Sequence, residues 1–299
     1  MFTSARPIQA LQVVGVPYRN ADFADPIVRV LQEFENNHAY VSAGVSYDYD
    51  EPHLHDRELT AVETDNIGRL NGKIADLMAT ARRDDKAILM TGGNCCHITG
   101  VVGGLQDVHG PDVKIGLVWF DAHGDFNTPQ TTLSGMLGGM PVAVCAGLAF
   151  PRWRELSHIR APIPTDRIVM VDVRNLDEAE EQLIRATGIK TCQPAAGYPG
   201  EPLEPAIKQL ADNCDVIYLH IDSDILDERY VPNHGTVEPN GPTMDEVEAA
   251  LQTVVATGKV GVLALVSVYG AGEGADVSIR SGIELIKRGL SNWAQYGMG

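Results

Sequence analysis

Apolar runs of strand length alternate with amphipathic stretches along most of this chain. The runs, apolar at most positions as in strands buried on both faces, span residues 11–17, 87–91, 115–120, 167–173, 216–221 and 260–268. Between them, apolar residues at helical spacing predict helices over residues 66–82, 177–186, 202–210, 243–257 and 279–289. This alternation predicts an α/β fold, with a mostly parallel sheet covered on both faces.

The ends of two predicted helices carry recognisable signals. Thr243 and Glu246 form a capping box, and Gly258 and Gly188 follow the ends of the helices over 243–257 and 177–186. With 299 residues and 44% hydrophobic content, the chain can bury a large core. It has no Pro- or Ser-rich linker, no repeat and no low-complexity tract. We therefore expect residues 1–299 to form one domain.

The charge balance narrows the classes of partner. Lys and Arg total 23 against 40 Asp and Glu, a formal net charge of −17, which argues against nucleic acid and anionic membranes as partners. Residues 1–7 lack the apolar core of a signal peptide, and no apolar run approaches the ~20 residues of a spanning helix. The five cysteines are odd in number and include no C-x-x-C pair, so we expect no disulfide framework and a cytoplasmic location.

Two short acidic motifs follow predicted strands and carry the candidate chemistry. Asp121, His123 and Asp125 follow one strand, and Asp222 and Asp224 follow another. Side chains two positions apart in an extended segment share one face, and the carboxyl ends of parallel strands form the usual ligand crevice. So many buried carboxylates are costly unless cations neutralise them. An Asp-rich turn would explain either motif alone, but both together predict a site for two divalent ions.

These motifs resemble the arginase (ureohydrolase) superfamily. Gly92-Gly93-Asn94-Cys95 and the two acidic motifs are similar to its three metal-binding blocks, in order and at suitable spacing, over about residues 87–290. The resemblance implies a three-layer α/β/α sandwich, two Mn²⁺ ions per chain, and hydrolysis of a guanidino group to an amine and urea. Family members are commonly trimers or hexamers, so a homo-oligomer is expected. The implied metal ligands are Cys95, Asp121, His123, Asp125, Asp222 and Asp224.

The resemblance also assigns roles beyond metal binding. Asp121 and Asp222 are expected to bridge the two ions, and Asp125 to pass a proton to the leaving amine. Residues 127–135 resemble the loop that holds the α-carboxylate of an amino-acid substrate, a group that agmatine lacks. The implied carboxylate donors are Asn127, Thr132 and Ser134, and the implied partners of the α-ammonium are Asp177 and Glu180. The alternatives are an ordinary Asn-Thr-Pro turn and solvated acids in the first turn of a helix.

Three positions depart from the family pattern. Cys95 stands where the family has a histidine. As a soft thiolate it could still bind a metal ion. The alternatives are that its side chain points away from the site or is only a small buried group, and that His97 replaces it as a ligand. Gly138 stands where arginases carry a histidine thought to shuttle protons. Ser267 lies in the stretch where arginases place an acid that pairs with the substrate guanidinium.

These departures bear on the substrate. A neutral Ser267 suits the permanently charged guanidinium of arginine poorly, because no carboxylate pairs with it. An N-hydroxyguanidine is less basic, so the sequence is most similar to hydrolases that convert Nω-hydroxy-L-arginine to L-ornithine and hydroxyurea. A plain arginase, a catalytically silent metal-binding relative and a histone-deacetylase-like amidohydrolase remain as alternatives.

Overall fold

The computed structural model describes residues 5–299. Residues 1–4, which belong to the N-terminal segment compared above with a signal peptide, lie outside the described residues. Within these residues the strands are β1 (Leu11–Val16), β2 (Tyr18–Arg19), β3 (Asp22–Phe23), β4 (Tyr47–Asp50), β5 (Ala87–Gly92), β6 (Ile115–Phe120), β7 (Ile168–Val171), β8 (Lys190–Cys192), β9 (Val216–Asp222) and β10 (Val260–Val266). β2 and β3 form a small antiparallel pair. The other eight form one parallel sheet in the order β4-β1-β5-β10-β9-β6-β7-β8.

Helices cover both faces of this sheet. They are α1 (Asp25–Asn36), α2 (Glu63–Arg83), α3 (Ile98–His109), α4 (Pro141–Cys145), α5 (Pro151–Leu156), α6 (Glu178–Arg185), α7 (Leu203–Asn213), α8 (Met244–Val255) and α9 (Ala275–Tyr296). One core cluster joins α1, α7, α8 and α9 to the sheet, and a second joins α2 to α6 to the other face. Successive strand residues such as Tyr218 and Leu219 enter opposite clusters, because side chains alternate along a strand. The three-layer α/β/α architecture with a parallel sheet is confirmed.

The sequence-based prediction did not include α1, α4, α5, β4 or β8, and among the helices that it did include the last one differs most from the structure. The sequence predicts a helix that ends at Gly289, but α9 continues to Tyr296 before Gly297, whose φ of 83° ends it. Trp293 lies in this extension, is buried, and donates from Nε1 to the carbonyl of Val260 over 3.2 Å. A Cβ on Gly289 would lie 3.2 Å from Leu263, so this glycine allows the helix to pack closely on the sheet.

Two expectations from composition have structural outcomes. All five cysteines are free and buried. Among residues 5–299, none of the helices combines the length and the apolar character needed to cross a membrane.

The strand order decides where the candidate chemistry lies. β5, β10, β9 and β6 are consecutive neighbours in the middle of the sheet, and all run in the same direction. Their carboxyl ends therefore open on one side, and Cys95, Ser267, Asp222 and Asp121 all lie at or just after these ends.

Candidate metal centre

Both acidic motifs are held by the same local hydrogen bond. The Asp121 carboxylate accepts from the amide of His123 at 2.7 Å, and the Asp222 carboxylate accepts from the amide of Asp224 at 3.0 Å. An aspartate that binds the backbone two residues later makes a compact turn at the end of its strand. The turn directs the side chain at i+2 toward the same crevice as the first aspartate.

The two turns and the loop after β5 bring potential metal ligands together. Among the described residues around this crevice, three groups each have their ligand atoms within 4.8 Å of one another, and Asp121, Asp222 and Asp224 each belong to two of them. Carboxylates shared between groups have the arrangement that bridging ligands need. The groups are Cys95, Asp121, Asp222; then Asp121, His123, Asp224; then Asp222, Asp224, His234. Asp125 is in none of these groups but lines the same cavity.

The electrostatics of the crevice favour a cation. Asp121 and Asp224 are each only 1% exposed. Burial and the nearby carboxylates, Asp224 first, raise the pKa of Asp121 well above its usual range. Burial likewise raises the pKa of Asp125. Carboxylate oxygens and an imidazole are donors that suit divalent manganese, so the residues present fit the two ions that the resemblance implies.

Cys95 points into this crevice. Its Sγ lies 2.9 Å from Oδ2 of Asp222 and 3.8 Å from Oδ2 of Asp121, so the alternative in which it points away is wrong. Burial and the charge of Asp222 raise the pKa of the thiol, which favours a neutral group unless a cation lies beside it.

His97 has no nitrogen left to offer a metal. Nδ1 accepts from the amide of Asn94 at 3.1 Å, and Nε2 lies 2.9 Å from the carbonyl of Asn20. Gly93, with φ of 66°, allows this approach, because a Cβ there would lie 2.3 Å from Nδ1 of His97. The structure therefore assigns His97 to the scaffold and excludes it as a substitute ligand.

His123 has the surroundings of a ligating histidine. Nδ1 lies 3.1 Å from Oδ2 of Asp224 and 3.4 Å from Oδ1 of Asp121, while Nε2 lies 3.4 Å from Oε1 of Glu238. A carboxylate beside the outer nitrogen fixes the tautomer that leaves the inner nitrogen free. Asn175 in turn donates to Glu238. Sequence reasoning missed both Glu238 and His234, because residues 227–242 carry neither strand nor helix periodicity.

A cavity of about 760 Å³ opens over this crevice. Five of the predicted substrate-binding residues line it, namely Asn127, Ser134, Asp177, Glu180 and Ser267. Thr132 is not among the lining residues: its Oγ1 lies 3.5 Å from Oγ of Ser134 and accepts from the amide of Gly135 at 3.0 Å. Thr132 therefore shapes the turn that presents Ser134, and the structure does not bring it to the cavity.

The two acids expected near the α-ammonium are not freely solvated. Glu180 is 3% exposed and accepts from the amide of Phe126 at 2.8 Å; burial raises its pKa. Oδ2 of Asp177 accepts from Nδ2 of Asn127 and from the amide of Leu133, both at 3.2 Å. These bonds attach the 127–135 loop to the start of α6.

Ser267 and Gly138 also face the cavity. The backbone of Ser267 adopts φ of 60°, its amide donates to the carbonyl of Gly93 at 3.1 Å, and its carbonyl accepts from Oγ of Ser223 at 2.9 Å. Ser267 therefore lines the cavity on a fixed backbone. A Cβ on Gly138 would have only Nδ2 of Asn94 nearby, at 4.0 Å, so space is open where arginases carry a histidine.

Comparison with known proteins identifies the family of this chain. The model of the arginase family matches residues 13–288. The chain belongs to the arginase family. The match extends well before residue 87, where the motif resemblance begins.

Curated relatives in this family are distant. An arginase from Bacillus caldovelox is 30% identical over 190 residues, which is 62% of this chain and 62% of that protein. An arginase from Neurospora crassa is 27% identical over 243 residues, or 75% of this chain and 66% of that protein. The chain thus matches less than two thirds of the length of these two relatives.

Solved structures share the arginase-family fold. An Entamoeba histolytica arginase in complex with L-ornithine superposes with a TM-score of 0.80 at 20% identity, covering 96% of this chain and 99% of that one. A formimidoylglutamase from Bacillus subtilis superposes with a TM-score of 0.71 at 17% identity, covering 98% of this chain and 89% of that one. At these identities the likeness establishes the fold alone.

Proposed function

We propose that this arginase-family protein is a dinuclear-manganese amidinohydrolase that cleaves Nω-hydroxy-L-arginine to L-ornithine and hydroxyurea. The observation that carries the proposal is one cavity in which buried carboxylates, a loop suited to an amino acid and a neutral Ser267 meet. We also propose that residues 1–299 form one domain. Manganese as the metal and a trimeric or hexameric assembly remain predictions from the resemblance, and a cytoplasmic location remains a prediction from the cysteine content.

The metal ions and the residues around them would have different roles in the reaction. Two divalent ions bound here would lower the pKa of a water and make hydroxide available near neutral pH. Hydrolysis would break the bond from the guanidino carbon to the δ-nitrogen, so that the water oxygen ends on the carbon of hydroxyurea and the nitrogen leaves as the amine of ornithine. The proton released by the water reaches that amine through Asp125. Asp125 would carry this proton, because it is a buried acid that lines the same cavity as the shared carboxylates.

The lining of the cavity also suits an α-amino acid. Asn127 and Ser134 would supply uncharged donors for the carboxylate, and the acids Asp177 and Glu180 line the same cavity and would pair with the ammonium group. The bonds from Asp177 to the 127–135 loop hold donors and acids in register, which matters because a shift of about 1 Å in the substrate carbon is costly to attack.

Ser267 favours the N-hydroxy derivative. A charged guanidinium buried beside a hydroxyl lacks the paired carboxylate that offsets its desolvation. The less basic N-hydroxyguanidine can enter neutral and needs no such partner. A plain arginase is the second candidate, because the relatives that match this chain bear that name and the cavity holds several carboxylates.

The deciding experiment offers the protein a choice of head groups. The Mn²⁺-loaded protein is incubated with equal concentrations of L-arginine, Nω-hydroxy-L-arginine and agmatine, and the products are identified by mass. We expect ornithine with hydroxyurea to dominate, and Asp121→Ala and Asp222→Ala to abolish turnover, since each removes a carboxylate shared by two groups of ligands. Faster release of urea from L-arginine would make plain arginase the function. A protein that binds Mn²⁺ but turns over none of the three would be a silent relative.

A further inference from the structure

His234 is a buried histidine at the cavity for which the motif resemblance provides no role. It lies between β9 and α8, its side chain is 3% exposed, and it lines the cavity. Its ring packs edge-on against Tyr269, with centroids 4.8 Å apart and planes at 88°. This contact fixes the plane of the imidazole.

Backbone geometry fixes which nitrogen carries the proton. The amide of Thr236 donates to Nδ1 of His234 at 3.2 Å, so Nδ1 presents a lone pair and the proton of the neutral ring is on Nε2. Oγ1 of Thr236 lies 3.2 Å from the same nitrogen and also within 3.2 Å of Oδ2 of Asp224. The segment that sets the tautomer is thus attached to the metal centre.

The Nε2–H group is an unused donor. It lies 3.2 Å from Oδ1 of Asp222, an electrostatic contact whose angles do not meet hydrogen-bond geometry, and it has no other partner among residues 5–299. Oδ1 of Asp222 already accepts from the amide of Asp224, and Oδ2 lies beside Cys95. His234 offers a ligand atom within 4.8 Å of carboxylate oxygens of Asp222 and Asp224. However, if Nε2 bears the proton, this nitrogen has no lone pair for a metal ion. His234 is therefore better suited to donate than to ligate.

We propose that His234 determines head-group specificity by donating its Nε2–H to an acceptor atom on the group that is hydrolysed. This inference rests on the proposed function and deepens it. A guanidinium has five N–H donors and no acceptor, so arginine would leave the buried Nε2–H facing other donors. The hydroxyl oxygen of an N-hydroxyguanidine carries lone pairs and can accept the bond. A buried donor left unpaired is costly, so one fixed N–H group discriminates between the two head groups.

This selection is separate from the one attributed to Ser267. Ser267 lacks a charge that a guanidinium requires, whereas His234 supplies a donor that a guanidinium does not accept. The two residues lie after different strands, β10 and β9, and are positioned by different backbone hydrogen bonds. Their effects on the ratio of the two substrates should therefore be separable.

The test compares His234→Leu, which removes the donor, with His234→Gln, which retains an N–H at similar reach. The measured quantity is kcat/KM for Nω-hydroxy-L-arginine divided by kcat/KM for L-arginine. We expect this ratio to fall about tenfold or more in His234→Leu, and to be largely restored in His234→Gln. His158→Leu, which removes a histidine outside the cavity, is the matched control and should leave the ratio unchanged.

Two further measurements separate this role from others. Two Mn²⁺ per chain should remain bound in His234→Leu; loss of an ion would identify His234 as a ligand and overturn the proposal. The calorimetric Kd for L-ornithine, which lacks the head group, should match that of the wild type. An equal fall for both substrates in His234→Leu would also overturn the proposal. If the wild type hydrolyses neither compound, the proposed function fails, and the ratio of their dissociation constants in the same variants then decides the role of His234.

Discussion

Removing the metal ions should destabilise the protein in a way that depends on pH. Burial and neighbouring charges raise the pKa of Asp121, and burial raises that of Asp125, when no cation is beside them. The folded chain then binds more protons than the unfolded chain between the ordinary carboxyl pKa and the raised one. The stability of the stripped protein therefore falls as pH rises through that interval. Metal binding requires ionised ligands, so the stabilisation by Mn²⁺ should grow over the same interval.

The expected size follows from mass action. An ion at a hundred times its Kd stabilises the folded state by about 2.7 kcal/mol, so two sites contribute roughly 5 kcal/mol. A chain of 299 residues shifts its Tm by about 2 °C per kcal/mol. Saturating Mn²⁺ should therefore raise Tm by roughly 10 °C near neutral pH, and by much less near pH 5.

The assay is thermal unfolding of chelator-stripped protein, with and without Mn²⁺, between about pH 5 and pH 8. Asp121→Asn should change Tm in two opposite ways. Without metal, the variant should have a higher Tm than the wild type at neutral pH. With Mn²⁺, its Tm should rise much less than that of the wild type. Asp76→Asn is the control, because Asp76 belongs to a group of acids and His158 outside the cavity. A Tm of the stripped protein that rises with pH, or a Mn²⁺ shift lost equally in Asp76→Asn, would refute the reasoning.

Three further predictions concern individual side chains. Asn127→Ala and Ser134→Ala should each raise KM for the amino-acid substrate by roughly tenfold while leaving Mn²⁺ stoichiometry at two, checked by steady-state kinetics and metal analysis. Ser267→Glu should shift the preference toward L-arginine, because a hydrogen bond from a charged donor to a carboxylate contributes ~1.5–3 kcal/mol. About 1 kcal/mol of this gain is offset, because a longer side chain is disfavoured at the positive φ of residue 267. Competition between the two substrates measures this shift, and an unchanged preference would contradict it. Cys95→His should lower the Kd for Mn²⁺, since imidazole suits this ion better than a thiolate, with Cys95→Ser as the comparison that weakens binding.

The sequence was sufficient to predict the architecture and the acidic centre. Buried parallel strands are apolar on both faces, so their sequences are distinctive, and the aspartates after β6 and β9 necessarily meet because these strands are adjacent. Helix ends are harder to predict where the same residue type either ends a helix or allows close packing inside one. Gly289 is read as a helix end from sequence, but in the structure it is a close-packing position inside α9.

The remaining site residues depend on contacts that sequence does not encode locally. His234 and Glu238 lie in an irregular segment, and only the folded chain shows them beside Asp222 and His123. Thr132 and Ser134 are both small hydroxyl residues two positions apart, and the course of the turn alone decides that Ser134 faces the cavity.

The proposed head-group choice would be open to change without loss of the implied metal ligands, because backbone atoms connect the loops around the site. The amide of Ser267 donates to Gly93, and its carbonyl accepts from Ser223, so the loops after β5, β10 and β9 are joined by main-chain groups of residue 267. Any side chain that tolerates the left-handed backbone there can preserve these bonds. His234 is positioned in a comparable way by the amide of Thr236. The proposed substrate selection would therefore depend on two side chains, Ser267 and His234, that are attached to a fixed backbone.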